Sequence, residues 1–377
     1  MKTMLKLGIV VILLLAGYLT LWPIPIAPQA WQAPADNGYT GDFAANTRLA
    51  NLDRIPLLEG VHGPEDFVVV QEDGREIVYA TSQTGVILRI DTERRTSSVF
   101  ANTGGVPLGM ERDAAGNFIV ADAFRGLLSI SADGRAVEVL TDEVNGSPIL
   151  YADDLDIAPD GVIYFSDAST KFGAQAAGST LAASLLEIIE HGKTGRFLSY
   201  DPATGETAIV ATGYSFANGV AMCPDGDCFL GAETGSYSID RIYVAGPKKG
   251  QSERFIENLP GFPDNINRGS EVDGKQTYWV GLAAPRAKVL DDAAQSPFAR
   301  KMMQRIPQAW QPAAVPYGHV FQIDENGKVL QSLQDPQGGY PTTTGAVESD
   351  EWLYVSSLET HDLGRLRKSS APAGNSK

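Results

Sequence analysis

Residues 72–91 read EDGREIVYATSQTGVILRID. A tight turn at Asp73-Gly74 opens a β-rich run, REIVYATS. A short gap with one glycine follows, and a second β-rich run, VILRID, returns. The pattern comes back at 113–134 (DAAGNFIVADAFRGLLSISADG) and at 159–169 (PDGVIYFSDAS), the latter resuming at 195 with GRFLSYDPATG. It comes back again at 223–244 (CPDGDCFLGAETGSYSIDRIYV), at 272–283 (VDGKQTYWVGLA, resuming at 318 with GHVFQIDENG) and at 349–366 (SDEWLYVSSLETHDLGRL). The turns fall at Asp73, Ala115, Asp160, Asp225, Asp273 and Asp350, and the shortest spacings are 42, 45 and 48 residues. That is the length of a four-stranded propeller blade, so six copies predict an all-β, six-bladed β-propeller. Two spacings are longer because residues 171–194 and 284–316 are inserted. Each contains a helical stretch, TLAASLLEIIEHG and FARKMMQRI. Such helices either cover the disc or roof a substrate site.

Polar residues recur in one register. Glu65 lies eight residues before the first turn, Asp153 seven before the third and Asn218 seven before the fourth. Asp264 and Asn265 lie nine and eight before the fifth. Each precedes a short apolar run that would be the innermost strand of its blade, and equivalent positions on radially repeated blades converge on the central channel. Blade two offers Leu108 and Gly109 at this register and blade six Thr342 and Thr343, so the oxygen cluster is not a by-product of the repeat. Carboxylates with Asn amide oxygens are hard ligands suited to Ca²⁺. The plainer alternative is a hydrogen-bonded plug joining the blades. Three buried carboxylates without a cation would repel one another, which favours the cation.

Composition narrows the partners. The 377 residues hold 30 Lys+Arg against 46 Asp+Glu, a net charge of −16. That balance excludes nucleic acid, whose phosphates need a basic face. Residues 7–22 read LGIVVILLLAGYLTLW without a charge, after Lys2 and Lys6 and before Pro23, Pro25 and Pro28. This is an uncleaved single-pass membrane anchor in preference to a signal peptide. The two lysines put the propeller on the outer side, periplasmic, extracellular or lumenal. The expected division is an anchor over 1–27, a Pro-rich lead-in over 28–50, the propeller over 51–368 and a flexible tail over 369–377. Cys223 and Cys228 flank a four-residue turn. A bridge and a pair of buried thiols are equally compatible with that spacing.

GPED, YADDLDIAPDGVIYFSDAS, GRFLSYDPATGE, FANGVAMCPDG and NLPGFPDNINR resemble the strictosidine synthase-like branch of the six-bladed calcium-dependent propellers. That superfamily also holds gluconolactonase/regucalcin proteins and paraoxonases. The anchor with its Pro-rich continuation is similar to the adipocyte plasma membrane-associated protein-like members. The resemblance covers about residues 20–368. It implies one catalytic Ca²⁺ held by Glu65, Asn218, Asp264 and Asn265, with room for a second, structural ion. The remaining family ligand is commonly an Asn, and Asp153 stands there, with Asp154 beside it as the other candidate.

The function expected is hydrolysis of a small-molecule ester or lactone. The cation would polarise the carbonyl, and a carboxylate would take a proton from water. Asp264 is the first candidate base and Asp154 the second. His361 is kept as a third, although it and His62 read first as surface or supporting residues. His191 and His319 have no expected role. The alternative is a non-enzymatic propeller stabilised by Ca²⁺. A strictosidine synthase-type condensing lyase is disfavoured, because its catalytic Glu would fall within 341–344 of GGYPTTTGAVESDEWLYV, where no carboxylate stands.

Overall fold

A computed structural model describes residues 2–307, 310 and 314–368. The tail expected at 369–377 lies outside the described residues. Six four-stranded antiparallel sheets are arranged as six blades. Their innermost strands are Pro64–Glu72, Pro107–Arg112, Ala152–Ile157, Ala217–Met222, Gly261–Val272 and Thr343–Glu348 for blades one to six. Blades one to five each run outward through three further strands in chain order.

Blade six departs from that rule. Its repeat supplies only three strands, and the fourth is Asp53–Pro56, from the start of the propeller, paired antiparallel with Asp362–Arg367. The first and last parts of the chain thus close the ring in one sheet. The repeat pattern gave no sign of this strand, because DRIP carries one buried apolar residue, Ile55, and no turn of its own.

Each contact between adjacent blades has its own apolar cluster. Ile55, Tyr354 and Leu363 of blade six meet Phe67, Val78 and Leu88 of blade one. Blades four and five meet through Leu230, Ile239, Ile266 and Phe321. A sheet covered on both faces buries both sets of alternating side chains, which is why runs such as FIVAD and CFLGAE are wholly buried.

In the innermost strands, the first residues pair with the last residues of the second strand: Ala152 with Asp167 and Gly261 with Pro285. The connections from second to third strand therefore leave from the end where the innermost strands begin, here called the upper face. Both insertions are such connections. The first forms two helices, Ala174–Ala177 and Thr180–Glu190, and the second forms Lys288–Asp292 and Pro297–Arg305. Ser179 and Ser296 accept hydrogen bonds from Ala182 N–H and Ala299 N–H and cap the two longer helices, and Pro297 suits the first turn of its helix. Helix Lys2–Leu21 lies outside the blades and touches helix Pro297–Arg305 at its end. Its stretch Thr3–Leu21 has a mean hydropathy of 2.3 and is unburied, long and apolar enough to cross a membrane. Cys223 and Cys228 are joined in a disulfide across the first hairpin of blade four, which settles the alternative left open by their spacing.

Ile55 tests the closure. Ile55→Ala should cost about 2–5 kcal/mol, as much as truncating a residue in mid-blade. Urea unfolding of the variant beside Val78→Ala measures it. A cost below about 0.5 kcal/mol would show that the closing strand contributes little.

Candidate metal centre in the channel

Every innermost strand carries the same irregularity near its start. In blade one, Pro64 pairs with Ser82 and Phe67 with Ala80, so three steps on the inner strand match two on its neighbour. The same one-residue excess lies between Pro107 and Met110, Ala152 and Leu155, Ala217 and Val220, Pro263 and Ile266, and Thr343 and Ala346. A bulge of this kind turns two successive side chains out of the pleat. The first residue of each pair is Glu65, Leu108, Asp153, Asn218, Asp264 or Thr344. The second is Asp66, Gly109, Asp154, Gly219, Asn265 or Gly345. All five predicted ligands occupy these positions. The expectation for blade six was one or two residues early: Thr344, not Thr342 or Thr343, is the equivalent of Glu65, because Thr343 already pairs with Ser357. The backbone just before the bulged stretch is left-handed in three blades, at Gly63, Phe216 and Thr342, an uncommon conformation for the last two.

The bulged residues form two layers. In the first, Asn218 Nδ2 donates to Asp264 Oδ1 at 2.6 Å, and Asn265 Nδ2 donates to Glu65 Oε1 at 2.7 Å. These bonds leave Asn218 Oδ1, Asn265 Oδ1, Glu65 Oε2 and Asp153 Oδ2 buried without a hydrogen-bond partner. An unpaired buried oxygen costs about 1–3 kcal/mol, so four together mark a place that wants a cation or donors. Asp264, 6% exposed, is the most accessible of the five.

The second layer is spent on joining blades. Asp66 Oδ2 accepts Met110 N–H at 2.9 Å, and Asp154 Oδ2 accepts Val220 N–H at 2.8 Å, each on the next blade. Asp154 Oδ1 accepts Leu155 N–H at 2.8 Å, so both oxygens of this candidate base are held by backbone. Farther along the strand, Asp156 accepts from Met222 N–H and Arg268. All six oxygens of these three aspartates accept hydrogen bonds. Gly109 makes room for the layer: a Cβ there would lie 2.4 Å from Asp154 Oδ1. The alternation of an Asp or Asn with Gly at the second bulged position was visible in the sequence, but it groups Asp66 and Asp154 with Asn265; the backbone N–H donors on Asp66 and Asp154 set them apart from the candidate ligands.

Crowded carboxylates shift one another. Burial pushes Glu65 well above the usual carboxylate range, and the charges of Asp66, Asp264, Asp153 and Asp154 add to it. Burial, then Asp264 and Asp167, do the same to Asp153. Asp264 is pushed up to about 7 by burial, against the Asn218 hydrogen bond. Tyr151, two residues before Asp153, was missed by the sequence reading. Burial and the charges of Asp153, Asp264 and Glu65 hold its phenol protonated. It packs edge-on against Phe216 at 5.3 Å.

The histidines stay outside the cluster. His361 is exposed, with Nδ1 3.2 Å from Val61 O and its ring 5.6 Å from that of His62. His191 stacks on Trp31 at 4.0 Å, and His319 Nε2 meets Ser332 Oγ at 2.9 Å. Glu348 ends the innermost strand of blade six, at the far face, where it accepts Trp279 Nε1–H. Thr344 donates to Glu65 O, so no carboxylate of blade six enters the site. The tight group Cys223, Asp225 and Cys228 has its two sulfurs tied in the disulfide.

Comparison with known proteins places the chain. The strictosidine synthase family model matches residues 153–247, and the strictosidine synthase-like N-terminal model matches residues 41–90. Adipocyte plasma membrane-associated protein of Rattus norvegicus is 32% identical over 382 residues, covering 97% of this chain and 98% of its own. The chain belongs to the strictosidine synthase-like family. Among solved structures, a gluconolactonase of Xanthomonas campestris matches with a TM-score of 0.59 and 17% identity, over 92% of this chain and 99% of its own. A calcium-binding protein, regucalcin, of Agrobacterium tumefaciens matches with a TM-score of 0.54 and 13% identity, over 83% and 92%. At such identities the likeness is one of fold.

The raised carboxylates give a pH test. Without a cation, Asp264 holds its proton up to about 7, whereas in the unfolded chain it releases it near 4. A raised native pKa stabilises the fold at low pH, and that contribution is lost as pH rises through about 7. In EDTA the melting temperature should fall from about pH 5 to about pH 8, and excess Ca²⁺ should cancel the fall. A cation-free melting temperature that climbs over this interval would contradict the assignment.

Proposed function

We propose that this protein is a membrane-anchored, Ca²⁺-dependent hydrolase of esters or lactones, with the cation in the propeller channel. The observation that carries the reading is the set of four partnerless buried oxygens on Glu65, Asp153, Asn218 and Asn265, beside Asp264. They are hard donors, three of the five residues are carboxylates, and no nitrogen or sulfur ligand stands among them. The description of one fold relative as a gluconolactonase and of another as calcium-binding supports the same assignment.

Glu65, Asn218, Asp264 and Asn265 would hold the ion, with Asp153 supplying added negative charge or a fifth ligand. Bound Ca²⁺ supplies a Lewis acid that polarises a carbonyl oxygen. The chain's own residues do the rest. Asn218 fixes Asp264 through Oδ1, which leaves Asp264 Oδ2 to accept a proton from the attacking water. Asn265 fixes Glu65 in the same way. Tyr151 and Phe216 give the neighbouring wall an apolar, water-poor surface. The apolar helix Lys2–Leu21 would anchor the chain, with Lys2 and Lys6 keeping its start cytoplasmic and the propeller outside.

Turnover of an aryl ester and lactone panel should vanish in EDTA and return with Ca²⁺. Asp264→Asn should lower kcat/KM about 10²–10⁴-fold while the fold survives. Asp154→Ala should instead cost about 1–3 kcal/mol of stability, because it strips a partner from Val220 N–H. A folded, Ca²⁺-loaded protein inert across the panel would reject the hydrolase and favour a binding propeller.

A further inference from the structure

The upper face carries more than the channel mouth. The lead-in segment after the apolar helix is laid across it. Ala27 N–H donates to Glu190 Oε2 at 2.6 Å, Gln29 N–H to Glu190 O at 2.9 Å and Trp31 N–H to Ala294 O at 3.2 Å. Ile24 and Ile26 pack in one cluster with Phe172, Ala183, Ile189 and Leu290 of the insertions. Buried Arg300 joins the three parts, donating to Ile189 O, Gln29 O and Ala294 O. The apolar helix is therefore tied to the propeller by a short, packed connection. Arg305, at the end of Pro297–Arg305, donates to Leu19 O at 3.1 Å and to Trp22 O at 2.7 Å, satisfying carbonyls at the helix end.

That end has the signature of a membrane–water boundary. Tyr18 and Trp22 lie there with ring centroids 5.6 Å apart, and aromatic residues collect at this level of a bilayer. Arg305 is bonded at the same level, which would set its helix at headgroup depth in an anchored chain. Phe298 lies seven residues earlier, on the same side of that helix, and is more than half exposed. Leu181 is also more than half exposed. Leu185, one turn on from it, and Val289 are about two-fifths exposed. All four stand on the helices of the two insertions. The exposed apolar residues of the outermost strands, Val99, Val139, Ile209 and Leu330, are spread one to a blade. Charge does not oppose this: within residues 284–316 the side chains of Arg286, Arg300 and Arg305 are buried, which leaves Lys288 and Lys301 against Asp291 and Asp292, without an acidic excess.

We infer that the helical roof is an interfacial membrane-docking surface, so that the face bearing the cation cluster lies against the lipid bilayer that holds the anchor. The inference rests on the anchoring proposed above and goes beyond it, because an anchored propeller could hang free on its linker in any orientation. Apolar side chains on insertion helices with no acidic excess enter the headgroup region of a neutral bilayer without needing anionic lipid.

The test uses the full chain reconstituted in phosphatidylcholine vesicles. Single variants Leu185→Cys, Phe298→Cys and Val139→Cys are labelled with an environment-sensitive fluorophore, the native cysteines being tied in their disulfide. Doxyl-labelled phosphatidylcholine should quench the probes at 185 and 298 about two-fold or more and leave the probe at 139 unchanged. Roof probes no more quenched than the probe at 139 overturn the docking, whether all three are quenched or none. Flotation with the vesicles reports anchoring separately: a chain that floats with unquenched roof probes is anchored but undocked, and a chain that does not float removes the anchoring on which the docking rests.

Discussion

One extra residue at the start of each innermost strand is the constraint on which the site depends. A regular strand would send successive side chains alternately into the two blade interfaces, where apolar clusters fill the space. The bulge breaks that alternation six times and turns twelve residues, nine of them with side chains, toward the axis or along it. The ring then decides what those side chains can be. Large groups cannot occupy every second position, so Gly109, Gly219 and Gly345 alternate with Asp66, Asp154 and Asn265. The same geometry holds the candidate ligand oxygens and locks neighbouring blades through carboxylate-to-backbone hydrogen bonds.

Concentrating acid in a buried channel is costly, and the structure shows where the cost is met. Asp66, Asp154 and Asp156 are compensated by backbone N–H groups and, at Asp156, by Arg268. Glu65, Asp153 and Asp264 accept no backbone N–H among the described residues, although burial raises the pKa values of all six carboxylates. The contrast within one cluster separates framework carboxylates from candidate ligands better than any single distance does.

Much of this was legible in the sequence because propeller blades repeat. The six turns from Asp73 to Asp350 set the blade count, and an offset of seven to nine residues from Asp73, Asp160, Asp225 and Asp273 picked out Glu65, Asp153, Asn218, Asp264 and Asn265. Offsets of seven to nine residues cannot locate a bulge to the residue, so Thr344 was read as Thr342 or Thr343, and Asp154 could not be told from a base. The closing strand was hidden because four residues with one buried side chain carry no period. The helices of the two insertions were legible, but their docking was not, because Arg300 and Arg305 hold them by reaching backbone carbonyls distant in sequence, and such contacts leave no local pattern.

The central claim is that the bulged positions of blades one, four and five bind one hard cation. Crystals soaked in Tb³⁺, a calcium mimic with strong anomalous scattering, test it directly. The account predicts a single anomalous peak in the channel, about 2.3–2.6 Å from oxygens of Glu65, Asn218, Asp264 and Asn265. A channel without a peak, or a peak only elsewhere on this acidic surface, would contradict it.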